Sequence, residues 1–168
     1  MIRVVLETNL FVSALLKPDS NPDRIITLVR EEKVLLLISD AICDEITKVL
    51  YYPKIRKRLA VSDEELQNFV KLLRTVAIVT PGSLNLPPLT ADPDDTKYLI
   101  CAVEGRADYI VSGDHHLTDL VIYQGIRVVT PAEFILIDRG ELSPDRDTYM
   151  KMLVSAPDVV PACGDELQ

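Results

Sequence analysis

Four acidic side chains stand where a folded sheet could gather them: Glu7, Glu45, Asp95 and Asp114. Glu7 ends the apolar run Ile2-Arg3-Val4-Val5-Leu6, and Asp114 follows Tyr109 to Ser112 with only Gly113 between. Asp95 falls in the first turn of the helix expected before that strand. Glu45 lies three residues after Ile42 and four before Val49, at the border of an apolar helical stripe. Like charges brought into one crevice repel, so either their pKa values rise or cations neutralise them. Ligation by oxygen alone, without His or Cys, suits Mg²⁺ or Mn²⁺ and not Zn²⁺. A carboxylate-held ion of this kind keeps water ligands, and such water is a nucleophile for a phosphodiester. The constellation therefore predicts a phosphoryl-transfer site. Each acid also has a plainer use: Glu7 as a helix cap, Glu45 as a solvated helix residue, Asp95 as an acid matched to the helix dipole beside Asp92 and Asp94, and Asp114 as a turn residue.

Positioning these groups requires a particular set of elements. Ile2 to Leu6 is nearly continuous in apolar character, the pattern of a strand buried on both faces of a parallel sheet. Leu10 to Leu16 predicts a helix that Pro18 and Pro22 stop, and Asn21-Pro22 opens another that runs to about Glu32. Val34 to Ser39 is a second buried strand. Ser39 caps a helix carrying Ile42, Ile46, Val49 and Leu50, ended by Pro53. Ser62 and Glu65 form a capping box ahead of Leu66, Phe69, Val70 and Leu73. Val76 to Val79 is extended, and Thr80 to Pro93 is a proline-rich connecting loop. Asp94 or Asp95 opens a helix that buries Leu99, Ala102 and Val103, with Gly105 expected at the C′ position just past its end. Tyr109 to Ser112 and Ile126 to Val129 are further strands, and Pro131 to Ile137 is a last core helix. This alternation predicts an α/β fold: a parallel, doubly wound sheet of four or five strands with helices on both faces. The domain spans residues 1–138. Residues 139–168 form an extension, with a short helix expected over Tyr149 to Val154 and a mobile tail from Ala156.

The chain has 168 residues, 18 Lys plus Arg against 26 Asp plus Glu, and a formal charge of −8. A chain of this length buries roughly 68–70% of its unfolded surface and needs no staple. The acidic balance argues against a binder held to nucleic acid mainly by phosphate contacts, but not against a nuclease that spends carboxylates on metal. Apolar runs such as Val34 to Ile38 are far short of the roughly 20 residues of a membrane span, and a cytoplasmic protein is expected. Cys43, Cys101 and Cys163 show no paired spacing and read as reduced thiols. The densest basic run, Lys54-Ile55-Arg56-Lys57-Arg58, could guide an RNA backbone or dock an acidic partner, or simply form a solvated face. Tyr51, Tyr52, Tyr98 and Tyr109 are too scattered for a base-stacking platform and are expected to pack in the core. Neither a G-x-x-x-x-G-K nor a G-x-G-x-x-G loop occurs. A receiver-type phosphate site would need a Lys at a late strand end, and an aspartyl phosphatase an acid where Asn9 stands.

VVLETN at Val4 to Asn9, with SALL at Ser13 to Leu16, resembles the start of PIN-domain proteins, which typically read VVLDTN. SDAICDEI, Ser39 to Ile46, is similar to the family's second acidic block, with Glu45 as its acid. DPDDTKYLICA, Asp92 to Ala102, resembles the third, with Asp95 seven residues before Ala102. DYIVSGDHHL, Asp108 to Leu117, resembles the fourth, usually a strand followed by T-G-D. The likeness keeps its order over about residues 1–137, and it is similar to the PIN-family toxins of prokaryotic toxin–antitoxin systems. It implies a metal-dependent endoribonuclease with Glu7, Glu45, Asp95 and Asp114 carrying Mg²⁺ or Mn²⁺. It also implies single-stranded or structured RNA as substrate, a cognate antitoxin as partner, and a homodimer. Thr8 and Asn9 would support the site from behind, and Ser112 would stand where the family puts a site hydroxyl. Two positions depart from the pattern. Glu7 replaces the usual Asp, and one added methylene moves the carboxylate by over an ångström, a scale of misplacement that can cost about 10²-fold in rate. His116 stands where the family often has a further acid; with His115 it could contact metal or phosphate. These departures keep open a second class, a non-catalytic PIN-like module that binds RNA or a protein.

Overall fold

In the computed structural model, which describes residues 1–87, 90 and 92–142, the first strand is the centre of everything else. β1 (Arg3–Leu6) pairs in parallel with β2 (Leu35–Ser39) on one side and β4 (Tyr109–Val111) on the other. Val4 and Val5 are completely buried, as the unbroken apolar run requires. β3 (Ile78–Thr80) extends the sheet beyond β2, and β6 (Ile126–Val129) extends it beyond β4, both in parallel. A sixth strand, β5 (Ile122–Tyr123), pairs antiparallel with β6, giving the order β3-β2-β1-β4-β6-β5. The parallel α/β architecture is as expected, with one strand more than the four or five read from the sequence. β5 has only two residues, and its tight turn to β6 puts Gln124 and Gly125 at positive φ, the geometry of a two-residue hairpin.

The chain leaves β1 toward β2 and β3, then returns past β1 to β4. Right-handed crossovers place the helices of these two legs on opposite faces. The first leg carries α1 (Thr8–Leu16), α2 (Asn21–Arg30), α3 (Asp40–Leu50), the short α4 (Pro53–Arg56) and α5 (Asp63–Val76). α6 (Thr96–Gly105) packs across β1 to β4, and α7 (His115–Thr118) and α8 (Pro131–Asp138) complete the domain. The capping box at Ser62 and Glu65 forms in both directions, and Thr130 with Glu133 makes a second at α8.

Two sequence expectations need correction. Gly105 does not lie past the end of α6. It is the last helical residue, and Arg106 takes the left-handed conformation (φ 54, ψ 52) instead. A Cβ at Gly105 would sit 2.6 Å from Leu37 Cδ1, so glycine is there to let α6 approach β2. Tyr51 and Tyr52, expected in the core, are exposed, because α3 ends at Leu50 and both tyrosines lie in the bend before α4. The helix and tail expected after Tyr149, and Cys163, lie outside the described residues. Cys43 and Cys101 are buried and unpaired; burial raises both thiols, Cys101 to about 11, which fits inert packing. Among the described residues no helix is long and apolar enough to cross a membrane.

Candidate metal centre

The strand order reverses at β1, so a crevice opens outside the carboxyl ends of β1 and β4. Glu7 and Ser112 are the first residues past those ends. The Glu7 backbone N–H donates to the Val111 carbonyl at 3.0 Å, and that of Ser112 to the Val129 carbonyl at 3.0 Å, which locks the strand tips together. Glu7 is the N-cap of α1, and its Oε1 accepts the Asn9 N–H at 3.1 Å. Capping and membership in the site are thus compatible, because one carboxylate oxygen remains for other work. The buried Ser112 hydroxyl accepts the Asp114 N–H at 2.9 Å, and Asp114 in turn caps α7 by accepting the His116 N–H at 2.9 Å. Asp95 closes a 3₁₀ turn (Pro93–Asp95) that Asp92 caps, and it is buried although it is charged. The Thr90 hydroxyl reaches Asp95 Oδ2 at 3.3 Å and the Asp92 carbonyl at 2.6 Å.

Electrostatics show which acids share the crevice. Burial pushes the Glu7 carboxyl up to about 7, and the charges of Asp114 and Asp95 add to that rise while the Asn9 N–H opposes it. Burial also raises Asp95, followed by the charges of Asp114 and Asp92. Glu7, Asp95 and Asp114 therefore repel one another. Glu45 is held differently. Its Oε2 forms an ion pair with Lys97 and its Oε1 accepts from the Tyr98 hydroxyl at 3.1 Å. That hydroxyl also lies 2.8 Å from Thr8 Oγ1 and accepts the Thr8 N–H at 3.2 Å, so Tyr98 links Glu45 to the backbone beside Glu7. Of the four predicted acids, three press charge on one another and the fourth carries its own counter-ion.

Tyr98 and Lys97 are the side chains that sequence reasoning missed. The signal was present: Tyr98 lies three residues after Asp95, on the same face of α6, and a buried tyrosine needs a partner for its hydroxyl. Tyr98→Phe removes a shared hydrogen bond and leaves the Thr8 N–H without an acceptor. It should cost about 1–3 kcal/mol of stability, measured by urea unfolding.

Other predicted residues fall in different places. Asn9 is exposed and contributes its backbone N–H, whereas Thr8 is fully buried against Tyr98. His115 and His116 stack with ring centroids 4.1 Å apart and present Nδ1 atoms 3.7 and 3.3 Å from Asp114 Oδ1. These three residues can offer ligand atoms within 4.8 Å of one another, and His116 also acts on Asp95. The histidines therefore belong to the lip of the crevice. The basic run does not. α3 starts at the carboxyl edge and runs back across the sheet, so Lys54, Lys57 and Arg58 follow its far end, exposed. Arg56 is engaged with Asp63 and the Leu59 carbonyl at the start of α5. A cavity of about 570 Å³ between Ile2, Asp108, Tyr109 and Arg127 also lies at the opposite, amino edge.

The donor set fits a hard divalent cation. It is built of carboxylate oxygens that are buried or half-buried and mutually repulsive, and Lys97, paired with Glu45, only partly offsets the charge at Glu7. The family model of the PIN domain matches residues 3–116, a span that contains all four acids. The chain belongs to the PIN-domain family. PIN domains are in general nucleases, and they typically use divalent metals. An uncharacterized protein of Methanocaldococcus jannaschii is 32% identical to this PIN protein over 142 residues, covering 80% of this chain and 90% of that one.

Proposed function

We propose that this PIN protein is a Mg²⁺- or Mn²⁺-dependent endoribonuclease that hydrolyses phosphodiester bonds of single-stranded or structured RNA. The observation that carries the reading is the trio at the switch point: Glu7 and Asp95 buried, Asp114 half-buried beside them, and Glu7 pushed up to about 7. Proteins rarely gather three repelling carboxylates in this way without a cation to relieve them. When bound, the ion acidifies water and offsets the charge gathering on the phosphate. The chain's own residues do the rest. Ser112 fixes the Asp114 backbone, Thr90 orients Asp95, and Tyr98 holds Glu45 and the start of α1 in one geometry. His115 and His116, at the rim beside Asp114, are placed to meet the substrate's phosphates. We extend the reading to the cell: a cytoplasmic toxin held in check by a cognate antitoxin, working as a homodimer.

The test is cleavage of an end-labelled single-stranded RNA. EDTA is expected to abolish cleavage, and Mg²⁺ or Mn²⁺ in excess to restore it. Cleavage that persists in EDTA would sink the proposal. For the toxin role, expression of the chain should arrest growth and Asp95→Asn should relieve the arrest.

One observation favours a second reading, a non-catalytic PIN-like module. Lys97 neutralises Glu45 and a proton can neutralise Glu7 near neutral pH, so much of the cluster's charge is relieved without metal. Under that reading the natural chain does not cut RNA in Mn²⁺, and Glu7→Asp confers cutting.

A further inference from the structure

Beside the carboxylates lies a cavity of about 400 Å³ that no catalytic role accounts for, closed by Ser13, Lys17, Asn21, Gly113, Pro131 and Ala132 among others. It adjoins the metal centre through its lining residue Gly113. Gly113 lies directly between Ser112 and Asp114, and Ser13 lies six residues along α1 from Glu7, about 9 Å of helix. Its volume is within the range of small-molecule sites and far below what a duplex needs. The rings of Pro22 and Pro131 and the Ala132 methyl supply apolar walls. Among the described residues, no hydrogen bond engages the Ser13 hydroxyl or the Asn21 carboxamide, and no carboxylate pairs with Lys17.

Two helices begin at this cavity, which invites an anion, but Pro22 and Pro131 offer no N–H and the third amide of each helix is capped. The Ser20 hydroxyl accepts the Asp23 N–H and the Thr130 hydroxyl accepts the Glu133 N–H. Asp23 and Glu133 also set negative charge in the first turns of both helices. Of the lining side chains only Lys17 carries charge, so a phosphate would find one counter-ion among neutral and apolar walls. A neutral, flat group with donors and acceptors on its edge suits that lining better.

We propose that the cavity takes one unpaired nucleobase of the substrate strand, flanking the phosphate held at the carboxylates. This rests on the nuclease reading and adds the part of the substrate that it leaves open. The proline rings and Ala132 pack against the base, the Asn21 carboxamide and Ser13 hydroxyl meet its polar edge, and Lys17 at the mouth meets the adjoining backbone. The pocket thereby selects single strands over duplexes and sets which nucleotide sits next to the cut.

The experiment is an abasic scan by fluorescence anisotropy. A short single-stranded RNA and versions with one abasic nucleotide moved along the chain are titrated with the protein in EDTA at low salt. There nothing is cut, so the result does not depend on catalysis. One abasic position is expected to weaken binding about tenfold, the scale of losing one packed base. Ala132→Trp, on an exposed position of α8 that fills the cavity, is expected to abolish that difference, and Asn21→Ala to reduce it. Repeating the scan on the deoxy strand separates a base pocket shared with DNA, where the same position weakens, from one that also requires the ribose. A flat scan with RNA, no measurable binding, or a full abasic penalty retained in Ala132→Trp overturns the pocket. Absence of cleavage in Mn²⁺ by a protein that keeps the abasic penalty would refute the nuclease reading and leave the pocket standing.

Discussion

Asp95→Asn is expected to lower RNA cleavage in Mg²⁺ or Mn²⁺ by about 10³-fold or more and to leave the protein at least as stable as before. The two effects come from one cause. As a carboxylate, Asp95 brings a charge that metal can use, and the several kcal/mol that a metal contributes to phosphoryl chemistry convert to about three decades or more of rate. Without metal that charge is a burden, because it is buried and faces Asp114 and Asp92. Asn keeps the volume and still accepts from the Thr90 hydroxyl, so the 3₁₀ turn before α6 keeps its contacts. A merely structural Asp95 would behave in the opposite way, with stability lost and activity falling only in proportion. Single-turnover cleavage together with urea unfolding in EDTA distinguishes the outcomes. Full activity in Asp95→Asn would refute the assignment.

The second large effect is on stability and depends on pH. The Glu7 carboxyl titrates near 4.5 when unfolded and at about 7 in the folded, metal-free protein. Below pH 4.5 it is protonated in both states and its titration adds nothing. Between 4.5 and 7 the unfolded chain ionises while the folded one holds its proton, so stability falls as pH rises. Above 7 the whole penalty is present, about 3 kcal/mol for a shift of this size. Glu7→Gln removes the charge and keeps an oxygen to accept the Asn9 N–H. In EDTA it should therefore melt about 10 °C above the natural protein at pH 8 and together with it near pH 4.5. Adding Mn²⁺ at pH 8 should raise the natural protein's Tm more than the variant's, because only the carboxylate gains from the ion. Equal Tm values at both pH values in EDTA would show that Glu7 does not carry the strain assigned to it.

What the sequence disclosed follows from how local each signal is. β1 and β4 are continuous apolar runs broken by an acid or by Ser-Gly-Asp, so both the strands and the residues at their tips could be read from one dimension. The caps at Ser39 and Ser62 are equally local. Tyr98 was legible as a buried aromatic, but its hydroxyl partners, Thr8 and Glu45, lie 90 and 53 residues away, and no local rule pairs them. Lys97 was hidden for the same reason. Gly105 looked like a helix stop because glycine usually serves that role, and only the position of Leu37 shows that the missing side chain is what matters. β5 has too few residues for any periodicity, although Gln124-Gly125 marked the turn that makes it. Composition could not choose among the readings of the basic run, since charge density says nothing about which end of α3 it follows.

The pairing of β1 with β4 has a consequence for synthesis. Val4 lies against Tyr109 and Leu6 against Val111, so more than a hundred residues separate strands that touch. A nascent polypeptide that has not yet emerged past Val111 has β1 without β4, so the crevice lacks one wall and Asp114 is missing from it. Such contacts also form late and slowly, because a long loop must close first. All the carboxylates can therefore meet only once Asp114 is out, when most of the domain has been made.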